Sequence, residues 1–223
     1  MPDPDRTRWT VILGAARGEA AARIEFARRY EPIVRAYLGA RWRSSPLRAE
    51  MDDASQEVFL ACFRDDGALT RADRSRPAGF RPFLHGVVRN VARRFEERGA
   101  RRARETDRAL DLAAVEADEE TLSRAFDRAW AVALLRQALD LQTEFGAGEP
   151  EALRRVDLLR LRFRDGLPIR DIAARWEVDP AALHTAYARA RREFRRALRE
   201  VVGRLHPEGD VDAECARLVE NFR

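Results

Sequence analysis

The chain has 223 residues, of which 36% are charged and 45% are hydrophobic, and its formal net charge is +4. This length allows one large domain or two small ones, and the composition is typical of a helical protein with well-solvated surfaces. No long uncharged run could span a membrane and no signal-peptide pattern begins the chain, so we expect a cytoplasmic protein without membrane insertion. All 42 basic residues are arginine, whose planar guanidinium can bind phosphate or guanine through two hydrogen bonds.

Patterns typical of catalytic or metal sites are absent from the sequence. Its two cysteines, Cys62 and Cys215, and its three histidines lack metal-site or disulfide spacing. Cys62 falls in an apolar helical stripe, which favours a buried thiol. Neither a glycine-rich phosphate loop nor a nucleophile motif occurs. We therefore expect no enzyme activity, no cofactor and no metal.

Helical periodicity dominates the chain and strand signals are nearly absent, which predicts an all-α fold. A short opening helix is predicted over Trp9–Ala16, followed by a longer pattern over about 20–42. Because Pro32 lacks an amide hydrogen and clashes with the preceding turn, we expect it to divide this pattern into two helical pieces. Residues 44–50 are predicted to be a loop.

A third helix opens with acidic and amide side chains, namely Asp52, Asp53, Gln56 and Glu57. Carboxylates in a first turn stabilise the helix dipole by about 0.3–1 kcal/mol without any partner, so a binding role does not follow from them alone. Residues 64–79 follow with two glycines, a proline and many polar side chains, which predicts a loop.

The fourth predicted helix, over about 80–98, has one apolar and one basic side. We interpret its aromatic residues Phe80, Phe83 and Phe95 as core rather than as stacking platforms. The outer side carries mostly basic and polar residues: Arg81, His85, Arg89, Asn90, Arg93 and Arg94. A one-sided positive face suits contact with phosphates, and a merely solvated basic face is the alternative.

The sign of the charge then changes along the chain. Residues 89–104 hold seven arginines and two glutamates, whereas residues 105–120 hold seven acids and one arginine. This pattern predicts a flexible acidic linker over 105–125. Further helices are expected to begin near Phe126, to cover 151–164 and to form a short final helix around Ala213–Phe222.

The stretch 166–199 predicts a helix-turn-helix. Gly166 suits a left-handed position after the preceding helix, Asp179 is a good N-cap, and Pro180 fits the first helical position. The second helix has an apolar stripe and an opposite basic side. Its candidates for DNA contact are Ala181, His184, Thr185, Arg189, Arg191, Arg192 and Arg195.

Several motifs resemble bacterial RNA polymerase sigma factors of the extracytoplasmic-function group. Residues 52–63 (DDASQEVFLACF) and 79–102 (GFRPFLHGVVRNVARRFEERGARR) resemble region two of that family. Residues 161–167 (LRFRDGL), the triplet 171–173 (DIA) and residues 187–192 (YARARR) are similar to region four. Each motif alone is moderately specific, but their order and separation strengthen the resemblance.

The resemblance implies two small helical domains joined by the linker. The implied segments are a lead-in over 1–19, region two over 20–104, the linker over 105–125, region four over 126–202 and a C-terminal extension over 203–223. It also implies that Asp52, Asp53, Gln56 and Glu57 bind core RNA polymerase. An anti-sigma factor is a further candidate partner.

The resemblance assigns promoter DNA to both basic faces. In region two, the minus-ten element is expected to meet a set of basic and amide residues: Arg74, Arg76, Arg81, Arg89, Asn90, Arg93 and Arg94. Asn90 is the candidate for a base edge, and the loop over 64–79 is where the family holds a flipped base. Region four would bind the minus-thirty-five element through the α-helical candidates given above.

Two positions of region four depart from the family pattern. Ala186 stands where the family often has an arginine, and Glu177 where it often has a turn glycine. A left-handed conformation at Glu177 would cost about 1 kcal/mol. Because donors are few early in the helix, recognition is expected to depend on DNA shape and backbone contacts.

The expected function is therefore promoter-specific transcription initiation as a sigma factor, with chemistry supplied by the polymerase. The alternative is a helix-turn-helix regulator that does not join polymerase. A metal-dependent nuclease using Asp52, Asp53 and Glu57 is a third hypothesis. A purely protein-binding helical adaptor is a fourth, which leaves the basic faces unexplained.

Overall fold

The computed structural model describes residues 8–73, 75, 79–105, 118–205 and 210–220. Within these ranges every regular element is helical and no strand occurs, which confirms the all-α prediction. The α-helices are α1 (Arg8–Ala16), α2 (Ala20–Arg41), α3 (Met51–Phe63), α4 (Phe80–Glu105), α5 (Glu119–Phe145), α6 (Pro150–Phe163), α7 (Ile169–Trp176), α8 (Pro180–Gly203) and α9 (Val211–Glu220). Short 3-10 helices at Pro46–Glu50 and Ala68–Arg71 lie in segments that were predicted to be loops. Over the described ranges, no helix has the length and apolar character needed to cross a membrane.

The chain folds into two compact units. The first contains the described residues up to Ala133 together with 204–205, 210 and 216–220. The second contains Leu134–Gly203 and Val211–Cys215. The division falls inside α5, and the predicted extension is shared between the units. In the first unit, the indole Nε1 of Trp9 donates to the carbonyl of Leu205 at 3.4 Å.

Helix α2 continues through Pro32, so the expected division into two helical pieces is wrong. Its buried side chains include Phe26 and Tyr30 before the proline and Ile33 and Tyr37 after it. An interior proline costs a helix about 3 kcal/mol, whereas burial of one large apolar side chain contributes about 1.5–3 kcal/mol. Packing on both sides of Pro32 therefore outweighs the local cost.

Helix α4 has the predicted two-sided character and extends further, to Glu105. Its apolar stripe is buried at Leu84, Val88 and Val91. The ring of Phe80 is also buried and lies between aromatic neighbours, with the half-buried Phe83 at 5.5 Å between centroids. These contacts confirm that the aromatic side chains of α4 belong to the core.

Helix α5 begins at Glu119, so the predicted start near Phe126 is wrong. Asp118 caps the helix: its carbonyl accepts from the amide of Leu122 at 3.0 Å, and its Oδ1 accepts from the amide of Glu120 at 3.3 Å. Acids at a helix start interact favourably with the dipole, and Leu122 is buried. Part of the acidic stretch is thus a helix start rather than a linker.

In the second unit, α6, α7 and α8 share a small core. It consists of Leu158 from α6, Ile169, Ile172 and Ala173 from α7, and Leu183 from α8. Trp176 and Tyr187 pack against it while partly exposed. Helices α7 and α8 are joined by a short turn over 177–179, where the periodicity predicted two helices and a turn.

Local backbone chemistry sets the two turns around α7. Gly166 has φ of 68°, and the next amide, of Leu167, donates to the carbonyl of Leu161 at 3.1 Å. Asp179 is the predicted N-cap of α8, since its Oδ2 accepts from the amide of Ala182 at 2.9 Å. Glu177 is left-handed, with φ of 54° and ψ of 44°.

Replacing Glu177 with glycine is expected to stabilise the second unit by about 0.5–1 kcal/mol. Glycine adopts the left-handed region without the penalty of a Cβ atom, and this gain exceeds the added flexibility of the unfolded chain. Thermal unfolding of the full chain measures the effect. Glu177→Ala is the matched control and should give no gain, because it keeps the Cβ. Equal gains from both variants would contradict a backbone origin.

Candidate nucleic-acid interfaces

The outer face of α4 carries most of the predicted minus-ten residues. Arg89, Asn90, Arg93 and Arg94 are all exposed, while Val91 on the other side is buried. The Nε of Arg94 donates weakly to the carbonyl of Asn90 at 3.4 Å. The Nε of Arg89 lies 3.8 Å from a carboxylate oxygen of Glu119 on α5. The face is therefore cationic and accessible within the first unit.

Arg81 differs from these arginines. It is half-buried, and its Nε donates to Oδ1 of Asp127 on α5 at 2.8 Å, with a second bond from Nη2 to the same oxygen. An arginine held in this way stabilises the packing of α4 on α5 and has fewer donors left for phosphate. The structure thus separates Arg81 from the exposed set with which the sequence grouped it.

His85 is half-buried rather than on the outer side of α4. Its ring packs edge-on against Tyr37 at 5.3 Å and Phe126 at 4.9 Å, and its Nε2 has no hydrogen-bond partner within the described residues. Burial, assisted by the positive charge of Arg81, lowers the pKa of His85 from 6.5. Charges on Asp127 and Glu119 oppose this shift.

Acidification is expected to destabilise the first unit partly through His85. Because the folded pKa lies below the unfolded value of 6.5, the unfolded chain binds the proton more readily, so stability is lost as pH falls below about 6.5. His85→Phe should therefore lose less stability than the wild type between pH 7.5 and pH 5.5. Thermal unfolding at the two pH values measures the difference. Parallel losses in both proteins would exclude a contribution from His85.

A pocket of about 310 Å³ adjoins the basic face of α4. Its lining includes four residues that carry positive charge or an amide: Arg64, Arg71, Asn90 and Arg94. The walls come from the end of α3, the segment after it and α4. This volume is at the lower end of the range for small-ligand sites. The lining also includes Asp66, so one acidic residue accompanies the three arginines and the amide.

Backbone geometry shapes the part of the pocket lining that Asp66 and Gly67 form. Asp66 has φ of 53°, and Gly67 approaches other backbone atoms closely. A Cβ atom on Gly67 would lie 2.6 Å from the carbonyl oxygen of Arg64 and 2.8 Å from that of Cys62. Sequence reasoning did not select Arg64 or Arg71. The signal in the sequence was the position of Arg64 and Arg71, one on each side of Gly67, in a predicted loop.

Two of the predicted loop residues, Arg74 and Arg76, lie outside the described residues. The four residues that were predicted to bind polymerase lie on α3, in the described part of the chain: Asp52, Asp53, Gln56 and Glu57.

Helix α3 presents an acidic and partly apolar outer face. Asp52, Asp53 and Gln56 are exposed and Glu57 is half-exposed. Leu60, one turn further along, has 62% of its surface exposed, which sequence reasoning did not foresee. Nη1 of Arg35 donates to Oδ1 of Asp52 at 2.5 Å. The face combines carboxylates with an exposed leucine, which suits a protein partner with a basic and apolar surface.

The thiol of Cys62 faces inward from the same helix. It is buried, as the sequence predicted, and burial raises its pKa to about 12. Both cysteines are free. Within the described ranges, no group of three or more His, Cys, Asp and Glu side chains is placed to hold a metal ion.

All seven predicted contact residues of α8 are exposed: Ala181, His184, Thr185, Arg189, Arg191, Arg192 and Arg195. The hydroxyl of Thr185 donates to the carbonyl of Ala181 at 3.2 Å, so its proton is used within the helix. The guanidinium of Arg191 lies over the ring of Tyr187 at 5.7 Å. The first two turns of α8 therefore offer few side-chain hydrogen-bond donors, and the arginines of the helix begin at Arg189.

Neither a scan against protein-family models nor a search of curated proteins finds a match to this chain.

Proposed function

We propose that the chain is a sigma factor of the extracytoplasmic-function group, which binds core RNA polymerase and directs initiation at promoters with minus-ten and minus-thirty-five elements. The observation that carries this proposal is the pocket lined by Arg64, Arg71, Asn90 and Arg94, together with the cationic face of α4. A helix-turn-helix regulator needs only its second unit for DNA. A second basic surface that contains a pocket is expected of a protein that also binds unpaired DNA.

In the first unit, the proposed task is to hold the minus-ten element as it opens. Arg93 and other exposed arginines of α4 neutralise backbone phosphates, which gives affinity and orientation but no sequence information. Asn90 lines the pocket and offers both a donor and an acceptor, so it can pair with the edge of a flipped base. The arginines of the pocket attract the flanking phosphates.

In the second unit, α8 is proposed to enter the major groove of the minus-thirty-five element. Ala181 and Thr185 offer methyl groups and few donors at its start, since the Thr185 proton is already bonded within the helix. Recognition there depends on shape, apolar contact and backbone position. Arg192 and Arg195 then contact phosphates.

The outer face of α3 is proposed to bind the polymerase. Its Asp53 and Gln56 supply polar contacts for a basic partner, and the exposed Leu60 supplies apolar area at the same face. Interfaces of this kind commonly obtain most of their free energy from a few central side chains.

Reconstituted transcription tests the proposal directly. Core RNA polymerase, the full chain and fragmented genomic DNA are combined, and the 5′ ends of the transcripts are mapped. We expect discrete start sites that require both proteins and that share two upstream elements. Transcripts that are independent of the chain would contradict the proposal, and DNA binding without polymerase association would favour the helix-turn-helix regulator.

A further inference from the structure

Glu193 lies among the arginines of α8, and its carboxylate is shared by one arginine of that helix and one of α6. The Nε of Arg189 donates to Oε1 at 3.0 Å. Arg155 on α6 donates from Nε to Oε2 at 2.9 Å and from Nη2 to Oε1 at 2.9 Å. Gln142 on α5 donates to the carbonyl of Ala190 at 3.3 Å and lies 3.5 Å from Oε2 of Glu193. Side chains from three helices therefore converge on this carboxylate.

The two arginines lie in different environments. The side chain of Arg155 is only 10% exposed, whereas that of Arg189 is 60% exposed. Burial by itself would raise the pKa of Glu193, but hydrogen bonds from Arg155 and Arg189 hold the pKa below its usual value. The carboxylate is thus ionised at neutral pH. Arg155 donates to both carboxylate oxygens, and this holds the carboxylate in place beside Arg189.

We infer that Glu193 limits the contact of Arg189 with DNA phosphates and so lowers the affinity of α8 for duplex of any sequence. The inference rests on the proposed function, in which α8 lies against DNA. A phosphate that approaches Arg189 must compete with a fixed carboxylate for the same guanidinium, and the carboxylate repels it. Lower sequence-independent affinity leaves promoter choice to the contacts that distinguish sequences.

Salt-dependent binding of the full chain to a labelled duplex of random sequence tests this inference. Glu193→Gln removes the charge but keeps an oxygen that can accept from Arg155. We expect the slope of log K against log salt to become steeper by about 0.9. The ratio of variant affinity to wild-type affinity should therefore be about eightfold larger at 0.1 M salt than at 1 M salt. Thermal unfolding checks that the variant is folded.

Two further comparisons show whether the effect acts through Arg189. In an Arg189→Gln background, Glu193→Gln should leave the slope nearly unchanged, because the competing guanidinium is gone. Glu144→Gln is the matched control, since it removes one negative charge from an exposed position of the same unit, on α5, and it should not steepen the slope. Equal steepening by Glu144→Gln would overturn the inference in favour of a general charge effect.

A buried arginine without its partner destabilises a fold, so a second variant is needed. Arg155→Met combined with Glu193→Gln removes the buried arginine together with its partly exposed partner, and this protein should show the same steeper slope. An unchanged or shallower slope in both Glu193 variants would overturn the inference.

Arg192→Ala distinguishes this outcome from failure of the proposed function. If Arg192→Ala flattens the wild-type slope by about 0.9 while the Glu193 variants change nothing, α8 binds DNA and only the role of Glu193 is wrong. If Arg192→Ala also changes nothing, α8 does not contact the duplex and the proposed function fails at this helix.

Discussion

Replacing both Asp53 and Gln56 with arginine is expected to lower the affinity of the chain for core RNA polymerase by at least about 100-fold. Both side chains are exposed on the outer face of α3, one turn from the exposed Leu60. Two cations placed against a basic partner surface are repelled as they lose solvent, and the few side chains that dominate an interface contribute about 2 kcal/mol or more each. Fluorescence titration or co-purification with core enzyme measures the affinity.

The same substitutions should leave the free energy of unfolding within about 0.5 kcal/mol of the wild type, because exposed side chains contribute little to stability. Glu97→Arg is the matched control: it also adds positive charge at an exposed position of the first unit, but on α4. It should bind core enzyme as the wild type does. Retained polymerase binding by the α3 variant would contradict the role assigned to that face.

Replacing Asn90 with alanine is expected to reduce promoter opening about 5- to 150-fold. Asn90 is exposed and lines the pocket beside Arg94, and a paired side-chain contact to a base edge contributes about 1–3 kcal/mol. Permanganate reactivity of unpaired thymines measures opening. On a template whose minus-ten element is already mismatched, the loss of binding should persist, since the contact that we propose for Asn90 is to the flipped base.

Arg64→Ala and Arg71→Ala should act through charge instead. Each should reduce the salt slope for binding single-stranded minus-ten DNA by about 0.7, without changing base preference. Arg128→Ala removes an exposed arginine from α5 in the same unit and should leave both measurements unchanged. A normal slope in the two pocket variants would mean that the pocket does not hold nucleic acid.

Periodicity and turn chemistry predicted much of the surface correctly. The apolar side of α4, with Leu84 and Val88, is buried, and the opposite side, with Asn90 and Arg93, is exposed. Asp179 caps α8 as predicted. These features depend on residues within one or two helical turns, so the local pattern contains the needed information.

Long-range partners account for the errors. Arg81 and His85 share the helical side of Arg89, but Asp127 and Phe126 of α5 cover them. No spacing within α4 indicates that another helix packs there. The prediction also missed the helical start at Glu119. Acidic residues are typical of a linker, but they also stabilise the start of a helix whose apolar side is buried against another helix.

The helical periodicity, the two-sided character of α4 and the cap at Asp179 follow from the order of residues, because each depends on hydrogen bonds and side-chain spacing over a few neighbours. The continuity of α2 through Pro32, the pocket formed by Arg64, Arg71 and Asn90, and the carboxylate shared at Glu193 do not. Each depends on distances between segments far apart in the chain. Burial and ion pairing change free energy only when those segments meet, and the folded arrangement specifies which of them do.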